Sequence, residues 1–226
     1  QVLHIRNGVA LLQDVEGMRP QYGHMAAFIP ARVPHRTKVI GNSVEYQSLY
    51  FRASLLKWRG RTVQTFQMSP LGFVLLQRIN EEEPLKNIAH GIARDCIDLF
   101  LRILPLDMQN ESPSLFLPES KTELSRKVCR FIEKNYRKRI TAVDISQAAS
   151  CSFRQISRIF KADTGLTVFG YLRVYRMLKA SIDLSMTGSK IISIAYDCGY
   201  ESLSSFFVDF KKLFGVSPAE FRTGHR

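Results

Sequence analysis

A row of polar side chains with helical spacing is the feature of this sequence best suited to chemistry. Its members lie at positions i, i+3, i+4 and i+7 of a helix predicted over about residues 153–163, so they share one face. They are Arg154, Ser157, Arg158 and Lys161. Because an arginine can donate two hydrogen bonds to O6 and N7 of a guanine, this face fits base contacts in the major groove of DNA. A charged face that only meets solvent is the simpler alternative.

The residue pattern around this row occurs twice, about fifty residues apart. The first copy contains Phe160-Lys161, Gly165-Leu166-Thr167 and Tyr171, and the second contains Phe210-Lys211, Gly215-Val216-Ser217 and Phe221. Upstream, Ile145 and Ser150 are matched by Ile194 and Gly199. A solenoid needs at least three repeats, so two copies predict a pair of helix-turn-helix units directed at one polyanion. The repeat therefore favours base contacts over a solvated face.

The positive charge of the chain is concentrated in its second half. Residues 119–226 contain 19 Lys and Arg against 10 Asp and Glu, whereas residues 1–118 contain 13 against 10. A basic domain attracts nucleic acid because its cations neutralise phosphates and release counterions. Charge by itself does not distinguish DNA from RNA or from an acidic membrane.

The second copy differs from the first on its outward face, in a helix predicted over residues 202–214. The positions of the first row are occupied there by Ser204, Phe207, Val208 and Lys211. Phe207 and Val208 cannot hydrogen-bond a base edge but can contact a thymine methyl, and the alternative is that both are buried against a neighbouring surface. We expect the first copy to make most base contacts and the second to add phosphate contacts and sensitivity to DNA shape. The expected phosphate contacts come from Ser152, Lys161, Ser202 and Lys211.

Most of the second half has helical patterns. Helices are predicted over residues 121–136, from a Thr141 cap to residue 149, over residues 168–184 and over residues 190–198. Ser189 is expected to cap the last of these. The long helix over residues 168–184 is expected to join the two copies.

The first half has the pattern of short strands. Branched and aromatic residues dominate residues 2–15, 25–29 and 44–51, and glycine, proline and asparagine separate these runs. The pattern predicts a small antiparallel barrel or sandwich, followed by helices over about residues 70–80 and 85–104. Residues 105–120, which include three prolines, are interpreted as a linker. The predicted fold class is therefore α+β with two domains, residues 1–104 and 121–226.

The second of these helices carries an apolar stripe spaced by threes and fours. Its members are Ile88, Ile92, Cys96, Leu99 and Ile103. The stripe could pair with a second copy of the chain in a homodimer, or it could pack on the chain's own barrel. Because no heptad is sustained over three or four repeats, the pattern leaves both interpretations open.

No feature of the sequence predicts a metal site, a cofactor or a catalytic residue. The four cysteines have no Cys-x-x-Cys spacing and are expected to be reduced and buried. The Gly-x-Ser-x-Gly, His-Glu-x-x-His and phosphate-loop patterns do not occur. No apolar run reaches the roughly eighteen residues that span a bilayer, so we expect a soluble, cytoplasmic protein. The first residue is Gln1 rather than Met, from which we expect a longer chain.

Further motifs of the second half fall into one register over about a hundred residues. They are Ser152 to Lys161, Thr164-Gly165, Tyr171-Leu172, Arg176 to Ala180, Ile194-Ala195-Tyr196, Gly199-Tyr200, Ser205-Phe206, Phe210-Lys211, Phe214 to Pro218 and Phe221-Arg222. Through these motifs residues 121–226 resemble the DNA-binding domain of the AraC/XylS family of bacterial transcription regulators. The resemblance implies seven helices in two helix-turn-helix subdomains joined by a long helix, with two recognition helices in major-groove segments about 34 Å apart. Ser146 and Ser150 stand where the family has alanine and glycine, which affects the expected packing of the first turn.

The first half is similar to the cupin-like sensor domain of the same family, through Met25 to His35 and Tyr50-Phe51. Cupin enzymes bind metal through a His-x-His pair with a later Glu and His, and only His35 stands near that position. Because three or more ligands are normally required, we expect no metal. The resemblance implies an effector pocket, although His35 could instead be a hydrogen-bonded barrel residue. The candidates for this pocket are Tyr22, His35, Tyr46 and Tyr50.

These observations predict a sequence-specific DNA-binding transcription regulator that is not an enzyme. Its expected partner is double-stranded promoter DNA, and RNA polymerase, a small-molecule effector and a second copy of the chain are further candidates; a membrane is not. One alternative is a cupin-type or DNA-repair enzyme fused to an AraC-type module, the latter with a reactive thiol such as Cys96. Bound metal or a thiolate of low pKa would favour it. Another alternative is an interaction protein that uses its basic face on RNA.

Overall fold

The chain forms two compact units in the computed structural model, which describes residues 1–23, 25–56, 60, 62–81, 91–109 and 115–224. Within these ranges the first unit includes Gln1–Asp14 and Gln21–Ser114, and the second includes Val15–Pro20 and Leu115–Thr223. Strands dominate the first unit and helices the second. The predicted α+β class with two domains is confirmed.

The described part of the chain contains six strands. They are β1 (Val2–Gln13), β2 (Gly17–Tyr22), β3 (Met25–Phe28), β4 (Arg36–Leu49), β5 (Gln64–Gln67) and β6 (Leu117–Pro118). In the first unit β1 pairs antiparallel with β3 and β4, and β3 pairs with β5. In the second unit the start of β2 pairs with β6.

The strand pattern of the sequence was incomplete in three places. β4 begins at Arg36, well before the predicted start at Val44, and it passes through Gly41 at φ 88°, where a break between strands was predicted. The pairing of β1 and β4 shifts register around Asn7, and such bulges let a ladder continue across an irregular residue. β2 lies in a segment that was predicted to be a break, and β5 was not predicted.

Two helices complete the first unit, α1 (Pro70–Glu81) and α2 (Ile92–Asp107). They cover one buried cluster that includes Phe66, Leu76, Phe100 and Leu104. α1 agrees with its prediction, whereas α2 continues through Pro105 to Asp107, so the predicted linker began too early; residues 85–90 lie outside the described residues. The Asp107 carboxylate accepts hydrogen bonds from the Ser69 N–H (3.1 Å) and Oγ (3.0 Å), which ties the end of α2 to the start of α1.

Seven helices form the described part of the second unit. They are α3 (Glu123–Asn135), α4 (Ala142–Ala149), α5 (Phe153–Thr164), α6 (Val168–Met186), α7 (Ile191–Asp197), α8 (Leu203–Phe214) and α9 (Pro218–Gly224). The Thr141 cap is confirmed, because its side chain and that of Asp144 form a reciprocal capping box. The predicted Ser189 cap is wrong, because Lys190 occupies the cap position of α7 and no side chain caps this helix. No helix of the described ranges is long and apolar enough to cross a membrane.

Each copy of the sequence repeat builds its own aromatic contact. The rings of Phe160 and Tyr171 meet edge to face at 5.5 Å, and the matching rings of Phe210 and Phe221 meet in the same way at 5.2 Å. All four side chains are buried. The repeat is therefore a packing repeat, in which the same aromatic pair fixes the helix after each candidate DNA-binding helix.

Candidate nucleic-acid interface

The turns of the two helix-turn-helix units have the same backbone hydrogen bonds. In the first turn the N–H groups of Ser150 and Cys151 donate to carbonyls of α4, at 3.2 Å each. In the second turn the N–H groups of Gly199 and Tyr200 donate to the equivalent carbonyls of α7, at 2.8 and 3.1 Å. This pattern needs a residue in the left-handed region after the helix. Ser150, at φ 51°, and Gly199, at φ 83°, supply it.

The first helix-turn-helix unit accommodates both departures from the family pattern, Ser146 and Ser150. The Ser146 hydroxyl donates to the Ala142 carbonyl one turn earlier, at 2.9 Å, so its polar group has a partner within α4. Ser150 adopts the left-handed conformation that favours glycine. The first turn therefore has the same backbone hydrogen bonds as the second, and its backbone strain lies at Ser150.

The two candidate DNA-binding helices, α5 and α8, begin and end alike. Ser152 and Ser202 accept a hydrogen bond from the N–H three residues ahead, at 3.4 Å in each case. Gly165 and Gly215 end the helices at φ 75° and 76°. Both helices contain 12 residues, so the two units present segments of equal length.

The predicted polar row lies on the outward face of α5. Arg154, Arg158 and Lys161 are exposed and Ser157 is half-buried. Among the described residues the two arginines form no ion pair. The arginines of α3 differ, because Arg126 and Arg130 both pair with Glu123, at 3.2 and 2.8 Å. The cations of α5 are therefore available to an external anion or base edge.

The outward face of α8 is polar at its ends and apolar at its centre. Ser204 and Lys211 are exposed, and Phe207 and Val208 are 40% and 66% exposed. The alternative that the two apolar side chains are buried against a neighbouring surface is wrong. Ser202, at the start of α8, is exposed as well.

Arg176 connects three elements of the second unit and was given no role by the sequence. From α6 its Nε donates to the Tyr136 carbonyl and its Nη2 to the Lys138 carbonyl, both at 2.8 Å. Its guanidinium also lies 5.7 Å from the centre of the Tyr200 ring, next to the turn that precedes α8. Burial lowers the pKa of this guanidinium. The motif that begins at Arg176 signalled importance, but only the packed helices give its contacts.

Asp163, at the end of α5, is a second residue whose role the sequence did not indicate. Its carboxylate accepts hydrogen bonds from the N–H groups of Lys121 (3.1 Å) and Thr122 (2.9 Å) and from Thr122 Oγ1 (2.9 Å). Burial raises the pKa of Asp163, but the hydrogen bonds from Thr122, Ser125 and Lys121 outweigh burial and leave it below its ordinary value. α5 is thereby fixed to the N-terminus of α3.

The four effector-pocket candidates of the first unit do not lie together. His35 and Tyr50 line a cavity of about 450 Å³ with Phe28, Phe51 and other residues of the first unit. Tyr22 is only 2% exposed and Tyr46 is 62% exposed, and neither lines this cavity. Period-two alternation could not separate these tyrosines, because burial depends on which strands cover each face.

The apolar stripe of α2 is divided between core and surface. Cys96 and Ile103 pack against the buried cluster of the first unit, whereas Ile92 and Leu99 are exposed, and Ile88 lies outside the described residues. In the described ranges no group of three or more His, Cys, Asp or Glu is placed to hold a metal.

Known proteins match the second half of the chain. A family described as a helix-turn-helix domain matches residues 145–224. The transcriptional activator RhaS of Mannheimia succiniciproducens is 33% identical over 100 residues, which are 44% of this chain and 37% of RhaS. The TetD protein of transposon Tn10 from Escherichia coli is 32% identical over 101 residues, which are 45% of this chain and 73% of TetD.

One solved structure with an AraC-type DNA-binding domain, a transcriptional regulator from Chromobacterium violaceum, is 25% identical. The alignment covers 45% of this chain and 91% of that one, with a TM-score of 0.43. The matched part of this chain spans well under half the length of RhaS, so the match concerns one region of that relative.

Proposed function

Because the chain belongs to the AraC/XylS family of bacterial transcription regulators, we propose that it regulates transcription by binding specific promoter DNA. In this proposal α5 and α8 enter successive segments of the major groove on one face of the duplex. The observation that carries it is the geometry of the repeat. Two helices of equal length follow turns with the same hydrogen bonds, and each presents an exposed outward face.

The α5 face makes most of the direct base contacts. Arg154 and Arg158 are exposed one turn apart and have no competing carboxylate among the described residues, which leaves their planar donors for guanine edges. Ser157 lies between them on the same face and has a short side chain that can donate to or accept from either base of a pair. This combination supports a guanine-containing site for the first helix-turn-helix unit.

The ends of both helices contact the DNA backbone. Ser152 and Ser202 are exposed at helix N-termini, where N–H groups and the helix dipole favour a phosphate. Lys161 and Lys211 are exposed in the last turns and add point charges. Such contacts fix register without carrying sequence information. α6 joins the two helix-turn-helix units, so it sets the separation between the two base-contacting segments.

The N-terminal compact unit, which includes Gln1–Asp14 and Gln21–Ser114, is a cupin-like sensor. A small-molecule effector occupies the 450 Å³ cavity beside His35 and Tyr50, whose volume lies in the range of small-molecule sites. The exposed Ile92 and Leu99 of α2 contact a second copy of the chain. RNA polymerase is the partner of the promoter-bound protein.

Selection from a random duplex library at constant, near-physiological salt tests the proposal. Two enriched blocks about one helical turn apart are expected. Arg154→Ala and Arg158→Ala should each cost about 1–3 kcal/mol at the selected site and relax discrimination at one position. Arg126→Ala is the charge-matched control, because Arg126 is exposed on α3 and paired with Glu123. Ser204→Ala should have a much smaller effect.

Two results would reject the proposed function. Equal losses on selected and random duplexes would remove the base-contacting role of the arginines. Stronger binding to single-stranded RNA than to any duplex would assign the basic face to RNA.

A further inference from the structure

The centre of the outward face of α8 is apolar, although it lies on a helix proposed to enter DNA. Phe207 and Val208 are adjacent and exposed, with Ser204 one turn before them and Lys211 one turn after. The only apolar group that base pairs present in the major groove is the C5 methyl of thymine. An exposed apolar pair on this face therefore has one matching chemistry in duplex DNA.

We infer that Phe207 and Val208 contact the methyl groups of two neighbouring thymines, so that α8 specifies an A·T segment by apolar contact. This inference rests on the proposed function and identifies the bases that the second helix-turn-helix unit binds. It assigns α8 its own sequence preference, beyond the phosphate contacts of Ser202 and Lys211.

The Phe207 ring is positioned before any partner binds. It lies edge to face against Phe206, with ring centres 5.8 Å apart. Phe206 is completely buried and contacts the rings of Tyr200 and Phe210. Because the supporting ring is fixed by the core, little side-chain entropy remains to be lost when Phe207 contacts a base.

The charges around the pair favour a polyanion over an apolar protein partner. Lys211 and Lys212 are exposed beyond the pair. Asp209, the nearest carboxylate in sequence, accepts a hydrogen bond from the Tyr200 hydroxyl at 2.9 Å and lies 3.6 Å from a guanidinium nitrogen of Arg173. Its charge is compensated on the side of α6. The rim of the apolar pair is thus net positive, as a DNA contact requires.

Replacement of thymine by uracil tests the inference, because uracil lacks only the methyl group. The full chain is titrated with its selected duplex and with duplexes that carry uracil at each thymine of the second block. Loss of one buried methyl should weaken binding about fourfold. Uracil at flanking positions should have no effect. Thymines in the second block are themselves an expected result of the selection.

Variants connect the methyl effect to the two side chains. Val208→Ser and Phe207→Ser should each remove the difference between thymine and uracil at one position. Val143→Ser is the matched control, because Val143 is a 62% exposed valine on α4 and should leave the uracil effect unchanged. All three side chains are exposed, so retained folding is expected and is checked by circular dichroism.

The outcomes separate this inference from the proposed function. Equal affinity for thymine and uracil duplexes, or a second block without thymine, would overturn the inference while Arg154→Ala still relaxed specificity in the first block. Absence of any enriched block would overturn both. A uracil effect that persists unchanged in Val208→Ser and Phe207→Ser would also overturn it.

Discussion

Glycine and serine at the two helix-turn-helix turns should respond in opposite directions to exchange. Ser150 occupies the left-handed region at φ 51° and ψ 43°. This conformation costs a non-glycine residue about 1–2 kcal/mol. Glycine avoids that cost, but its more flexible unfolded state offsets about 0.5–1 kcal/mol of the gain in stability. Ser150→Gly should therefore increase the free energy of unfolding by about 0.5–1 kcal/mol.

Gly199→Ala should be strongly destabilising, because a methyl group has no room there. A Cβ on Gly199 would overlap the Tyr136 carbonyl oxygen and would lie 2.9 Å from Arg176 Nη2 and 3.0 Å from the Arg137 carbonyl carbon. The Tyr136 carbonyl cannot withdraw freely, since it accepts the hydrogen bond from Arg176 Nε at 2.8 Å. Strain and displacement together should lower the free energy of unfolding by about 2–4 kcal/mol.

Gly165→Ala separates conformational strain from overlap. Gly165 also has a left-handed φ of 75°, but apart from its own local backbone no described residue has an atom within 4 Å of a Cβ placed there. It should cost about 1 kcal/mol, from strain alone. The three variants are compared by urea and thermal unfolding of the full chain, with far-ultraviolet circular dichroism as the measure of unfolding. Lower stability of the Ser150→Gly protein, or a Gly199→Ala cost no larger than that of Gly165→Ala, would contradict this assignment of strain and overlap.

Three further substitutions test contacts within the second unit. Asp163→Asn should lower the free energy of unfolding by about 1–2 kcal/mol at pH 7. Because the folded pKa of Asp163 is below its ordinary 3.8, this loss should shrink as the pH falls below that value. A difference between the two proteins that stays constant in acid titrations would contradict the prediction. Arg176→Met removes two hydrogen bonds to the Tyr136 and Lys138 carbonyls, which follow α3, and should cost about 2–3 kcal/mol. It should also weaken the preference for two-block over one-block duplexes, and an unchanged preference would mean that Arg176 does not orient α8. Thr141→Ala should cost about 1 kcal/mol in urea unfolding, whereas Thr141→Ser should be neutral, and equal effects would exclude the capping box as the cause.

The sequence was sufficient for most features that depend on neighbours along the chain, with the Ser189 cap as an exception. The starts of α4, α5 and α8 follow from Thr141, Ser152 and Ser202, because a capping side chain bonds to an N–H only three residues away. The outward positions of Arg154 and Arg158 follow from the helical period. The paired aromatic contacts of the repeat also agree with the spacing, since each pair is fixed by one short helix and its following turn.

Interactions between distant segments were not readable in this way. β4 continues through Gly41 because β1 supplies a bulged partner, and Tyr22 is buried whereas Tyr46 is exposed although both lie in strands. Arg176 and Asp163 have their roles through carbonyl and N–H groups about forty residues away in sequence. For the same reason the sequence left open whether Phe207 and Val208 are buried. A side chain's exposure is set by whichever surface packs against it, and helical spacing fixes only the direction in which that side chain points.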